Sequence, residues 1–137
     1  MTLAYIHYND NIPEGMGGTA QAFYIRIRPK YKDDKGIHEH ELEHVRQWWV
    51  LTIFSAFALL VGAEYLQQPL WIAVASVGIH GLLYKFIPAY RLWAEVQAHK
   101  VQLKHYPDDR TELFAWRIAN RYRLKVTAEE AEQLLRS

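Results

Sequence analysis

The chain contains no cysteine. Disulfides and thiolate metal sites are therefore excluded, and any metal has to be held by His, Asp or Glu. It also lacks a charge bias, since 16 Lys and Arg stand against 15 Asp and Glu for a net charge of +1. No global field marks it for nucleic acid, and no nucleic-acid partner is expected. Internal repeats and low-complexity tracts are missing too. The opening "MTLAYIHYND" has no basic stretch followed by an apolar one, so a cleaved secretory signal is not expected and a cytoplasmic location is. What is present is a composition that folds: 50% of the 137 residues are apolar and 14% aromatic. That length suits a single domain with a real core.

The first third reads as a small β element over 3–28. "LAYIHY" (3–8) and "AFYIRIR" (22–28) are rich in aromatic and β-branched residues, and Tyr24, Arg26 and Arg28 alternate with Ile25 and Ile27. Between them "NDNIPEGMGGT" is loop chemistry, so two strands joined by a long loop, a β-hairpin or edge strand, are expected. From Ile37 the pattern becomes helical, with Leu42, Val45, Trp49, Ile53 and Ala56 on one face of a 37–62 helix. A second apolar segment follows at 69–87, then an amphipathic helix at 89–106 and two short helices over 109–136. Asp109 with Glu112 and Thr127 with Glu130 have the spacing of capping boxes. The predicted class is α+β, mostly α.

The two apolar segments form a helical hairpin. "WWVLTIFSAFALLVGA" (48–63) and "LWIAVASVGIHGLLY" (70–84) carry no charge, and aromatic residues stand at their ends. Arg46, Lys85 and Arg91 flank the base, which in a membrane would put both termini on the cytoplasmic side. Each run is shorter than the roughly 20 residues of a full span. Membrane contact through 48–87, burial in a core, and self-association as a homo-oligomer are all compatible with this pattern. The 37–61 helix would be about 38 Å long, so it must either break or project beyond a globule of this size.

"HEHELEH" (38–44) packs three histidines and three glutamates into seven positions. It contains His40-Glu41-Leu42-Glu43-His44, an H-E-x-x-H match. On a helix, positions i and i+4 stack on one face, so His40 and His44 can aim at one ion. Glu41 is rotated by about 100° from His40, beside the metal rather than on it, where it can take a proton from water. Two imidazoles suit Zn²⁺, and a catalytic zinc needs a third protein ligand. Glu64 lies in the hairpin turn, and His80 is isolated in an apolar run. Glu95 and His99 are better placed, on the helix that returns the chain toward His44. One face of that helix would offer Glu95 to the His40/His44 pair.

"HELEH" followed by "EVQAH" resembles the gluzincin class of zinc metallopeptidases, whose third ligand is a Glu in a pattern close to E-x-x-A-D. In element order the chain is also similar to the heat-shock and prenyl-protein membrane metalloproteases, and in size to small H-E-x-x-H proteins of phage and prophage genomes. The resemblance covers about residues 20 to 106. It implies Zn²⁺ on His40, His44 and Glu95, Glu41 as the catalytic base, and a peptide or protein substrate hydrolysed by an activated water. It also implies that "AFYIRIR" is the edge strand that aligns the peptide. The last position departs from the pattern, since His99 stands where the class has Asp, the acceptor that orients a zinc-bound His. His99, His105 and Tyr106 are left as candidates for that outer layer or for the oxyanion donor. Two other readings fit the same residues: a small helical membrane or assembly protein without catalysis, and a zinc-binding protein without turnover.

Overall fold

Both β-rich segments become strands, but they do not form the expected hairpin. In the computed structural model, which describes residues 3–137, β1 (Tyr5–Tyr8) and β3 (Tyr24–Ile27) pair in parallel with Ile6 opposite Ile25. Parallel neighbours need a crossover, and the loop between them supplies one. That loop contains an additional strand, β2 (Gly18–Gln21), antiparallel to β3, so the order across the sheet is β1-β3-β2. "GTAQ" has little strand propensity, and pairing with β3 is what makes it a strand. Arg28 holds the preceding loop in place by donating to the main-chain oxygens of Met16 (2.9 Å) and Ile12 (2.6 Å). With β3 in the middle, "AFYIRIR" has no free edge. The free edge on the side of the first helix belongs to β2.

Helix α1 (Lys35–Tyr65) begins at Asp34, whose Oδ1 accepts from the Ile37 amide at 3.0 Å. It runs 31 residues without a break, about 46 Å. Its first turns lie between the sheet and α3 (Pro88–Leu103). There Val45 joins Ile25 and Ile27 in one core cluster, with Leu42 and Trp49 packed against it. The expected apolar face is not buried throughout. Beyond Trp49 the sheet ends, Ile53 is 61% exposed, and Thr52 is the buried residue instead. Among the described residues, a 3₁₀ segment (Leu70–Ala75) and α2 (Ser76–Phe86) accompany this half.

Ile87 is extended because Pro88 follows it, and there the path of 70–86 turns by 98° into α3. This bend carries α3 back alongside the start of α1. A second core joins Val96 of α3 to Phe114 and Ile118 of α4 (Thr111–Arg121) and Leu135 of α5 (Ala128–Arg136). The capping box of Thr127 and Glu130 is formed. The one expected at Asp109 and Glu112 is not. Asp109 instead accepts from the Thr111 amide at 2.9 Å, and the helix starts one residue later than that box requires.

By length and composition α1 could cross a membrane. The hairpin leaves its apolar side chains uncovered: Phe54 is 71% exposed, Phe57 68% and Trp71 73%.

Candidate metal centre

His40, Glu41 and His44 project from the first turns of α1, and Glu95 and His99 from the facing side of α3. All but His44 are buried outright, and the His44 side chain is only 12% exposed. His40 Nε2 stands 3.7 Å from Glu95 Oε2, and His44 Nε2 stands 3.5 Å from Glu95 Oε1. Donors on one small tetrahedral ion are about 3.4 Å apart. The three side chains are thus spaced to hold a metal ion, each offering one ligand atom within 4.8 Å of the others. Glu95 Oε2 is buried without a hydrogen-bond partner among the described residues. An anionic oxygen in that state is costly unless a cation meets it.

Two of the three imidazoles, His44 and His99, are held by amides, while His40 Nδ1 has no hydrogen-bond partner among the described residues. Gln47 donates through Nε2 to the Ala94 carbonyl at 3.2 Å, which turns its Oε1 toward His44 Nδ1 at 3.1 Å. His44 Nδ1 therefore carries a proton, and Nε2 is the ring nitrogen that faces Glu95. Gln102 repeats the device on α3. Its Nε2 donates to the Tyr106 hydroxyl, and its Oε1 accepts from His99 Nδ1 at 3.0 Å. Tyr106 in turn donates to Asp34, the cap of α1, at 2.9 Å. The position of the expected Asp thus holds a neutral ring, its centroid 4.4 Å from that of His40.

Of the three outer candidates, only His99 borders the site. Tyr106 acts one layer further out, through Gln102 and Asp34, and His105 lies exposed at the end of α3. Two hydroxyls that the sequence did not single out are present instead. Tyr84 of α2 donates to Glu95 Oε1, and the Tyr122 hydroxyl lies 3.5 Å from His99 Nε2. Arg91 places both tyrosines by donating to their main-chain oxygens, at 2.8 and 3.0 Å. Nothing in local periodicity marks them. The i,i+3 pairs His44/Gln47 and His99/Gln102 were the one readable signal, because such residues are neighbours on a helix.

A cleft of about 490 Å³ opens over these groups, bordered by β2 on one side and by Val77, Gly78, Gly81 and Tyr84 of α2 on the other. Gly18 lets the strand come close. A Cβ there would lie 2.8 Å from Glu41 Oε1. The remaining residues of "HEHELEH" point elsewhere: Glu39 and Glu43 pair with Arg46 at 3.0 and 3.1 Å, and His38 contacts the Asp34 carbonyl and the Tyr8 hydroxyl. His80 contacts the Tyr90 hydroxyl at 2.7 Å, and Glu64 is exposed at the far end of α1. None of the known protein families, curated proteins or solved structures compared with this chain matches it.

Burial sets the proton affinities. It pushes His99 down to about 3 and holds His40 well below 6.5, while raising Glu41 to about 8. His44 differs, since burial opposes its charge but the Glu95 carboxylate outweighs burial and raises it to about 9. The same pairing overcomes the effect of burial on Glu95 and lowers it.

A pH optimum follows for the metal-free protein. Above pH 6.5 the folded chain keeps the His44 and Glu41 protons that the unfolded chain, titrating near 6.5 and 4.5, has released. Stability then falls as pH rises toward about 9. Below 6.5 the unfolded chain protonates at His40 and His99 while the fold keeps them neutral, and stability falls again. Glu41 offsets one of those two protons until pH 4.5. The melting temperature of chelator-treated protein, followed by circular dichroism, should peak near pH 6.5. A midpoint still climbing at pH 9 would contradict this.

Proposed function

We propose that the protein is a zinc-dependent metallopeptidase of minimal size. The observation that carries this is the convergence of His40, His44 and Glu95 beside a buried Glu41 in a cleft bordered by an unpaired strand edge. Two imidazoles and one carboxylate at near-tetrahedral spacing suit Zn²⁺. Zinc bound there would supply Lewis acidity toward a peptide carbonyl and would lower the pKa of a water to near 7. Glu41 takes the proton of the attacking water and returns it to the leaving nitrogen. Tyr84 and Tyr122, which border the cleft, replace His105 and Tyr106 as donors to the developing oxyanion. The peptide adds to the free edge of β2, rather than to 22–28, by main-chain hydrogen bonds.

The test is metal content. Purified wild type should carry about one zinc per chain. His40→Ala and Glu95→Ala should each lose it, as read by elemental analysis. A wild type without zinc, and without affinity for added zinc, would end this reading.

The uncovered hairpin favours a companion proposal about location. The hairpin within 48–87 contacts a lipid bilayer through its exposed apolar side chains, and the metal centre lies at its base, on the cytoplasmic side with both termini. Between Arg46 and Lys85 the only charged residue is Glu64, and charged residues are what a bilayer excludes most strongly.

A further inference from the structure

We infer that Arg117 and Arg121 form a subsite for a carboxylate of the bound peptide, the terminal one by geometry. The inference rests on the peptidase reading for its ligand class.

Both side chains line the cleft from α4, at i and i+4 on one face. Arg117 is half-buried and, among the described residues, makes no hydrogen bond or ion pair; its guanidinium lies 5.3 Å from the Phe114 ring centroid. Like charges four residues apart on a helix repel one another. A partly desolvated guanidinium without an anion is an incomplete pair, whose natural complement is a planar carboxylate.

Arg121 closes one end of the cleft. Its Nη1 donates to the Gly15 carbonyl at 2.6 Å. Gly15 has φ +80°, and a Cβ there would lie 1.6 Å from that same Nη1. Only glycine permits this clasp between the loop before β2 and α4.

Strand direction then selects which end of a peptide arrives there. Glu41 lies against Gly18, the first residue of β2. A peptide antiparallel to β2, the slightly more stable pairing, runs its C-terminal side from Glu41 toward Gly15. Gly15 to Gly18 spans at most about 10 Å, and a strand residue advances about 3.3 Å. A terminal carboxylate therefore meets the arginines within about three residues of the bond facing Glu41. Such a site favours removal of short C-terminal pieces.

The test uses the full chain carrying Glu41→Gln, so that peptides stay intact. Three pools of acetylated random hexapeptides are passed over immobilised protein as purified: free acids, C-terminal amides, and amides with one internal Asp. The free acids should be retained over the plain amides by about tenfold or more, the usual weight of a charge-assisted hydrogen bond. Arg117→Ala should bring that ratio close to one, Arg117→Lys should keep part of it, and Lys125→Ala, outside the cleft, should keep it whole. Retention of the Asp pool at the level of the free acids would overturn the assignment to the terminal carboxylate. Equal retention of all pools, or none of any, overturns the inference. The ratio is also read after chelation, so a failure of the zinc reading stays distinguishable from a failure of this one.

Discussion

Glu41→Gln is expected to keep its zinc and to hydrolyse peptides about a hundred- to ten-thousand-fold more slowly than the wild type, the range set by loss of a positioned general base. The substitution is nearly isosteric, so the amide fits where the carboxylate lies against Gly18. Glu41 is not among the three grouped ligands, and the metal has no reason to leave. The charge is what changes. In the metal-free fold burial raises Glu41 to about 8, and a carboxylate placed there can accept a proton and return it. A glutamine can do neither. Metal content and turnover must be measured on the same preparation. Full activity with zinc retained would move the base elsewhere, and loss of zinc would make Glu41 a ligand.

The second large effect concerns the hairpin. Ile53 and Phe57, one helical turn apart on α1, are 61% and 68% exposed and contribute nothing to either core cluster. Replacing both by Lys should leave the metal centre intact. In a bilayer each central Lys costs about 2.5–3.5 kcal/mol, so the pair should weaken partitioning by about 10⁴-fold or more. Wild type is expected to float with phosphatidylcholine vesicles, and the Ile53→Lys, Phe57→Lys protein to remain in the soluble fraction. If the wild type stays soluble as a defined dimer, the apolar face is a self-association surface. If it stays a soluble monomer, the location proposal fails.

Several features were legible without coordinates because they depend on spacing within one element. His40 and His44 share a face since four residues nearly complete a helical turn, and Glu41 falls beside them for the same reason. The Thr127 cap and the break at Pro88 are likewise local chemistry. The pairing of Glu95 with that face was anticipated from antiparallel helix order, and the 3.5 and 3.7 Å separations agree with it. The small β element at 3–28 is present, but its pairing differs: 22–28 is the central strand, and its antiparallel partner is 18–21 rather than 3–8. "GTAQ" resembles a loop, and its strand exists only because β3 offers a partner.

By itself, then, the sequence determined a cysteine-free α+β chain, mostly helical, with two histidines and a glutamate on one helix turn and a long apolar hairpin. Tertiary structure alone decided the rest. It brought Tyr84 and Tyr122 to Glu95 and His99, gave the orienting of His44 and His99 to Gln47 and Gln102, and set two arginines of α4 along the cleft. The reason is geometric. Periodicity fixes neighbours along one helix, whereas contacts between elements depend on how the chain turns, here through the 98° bend before α3.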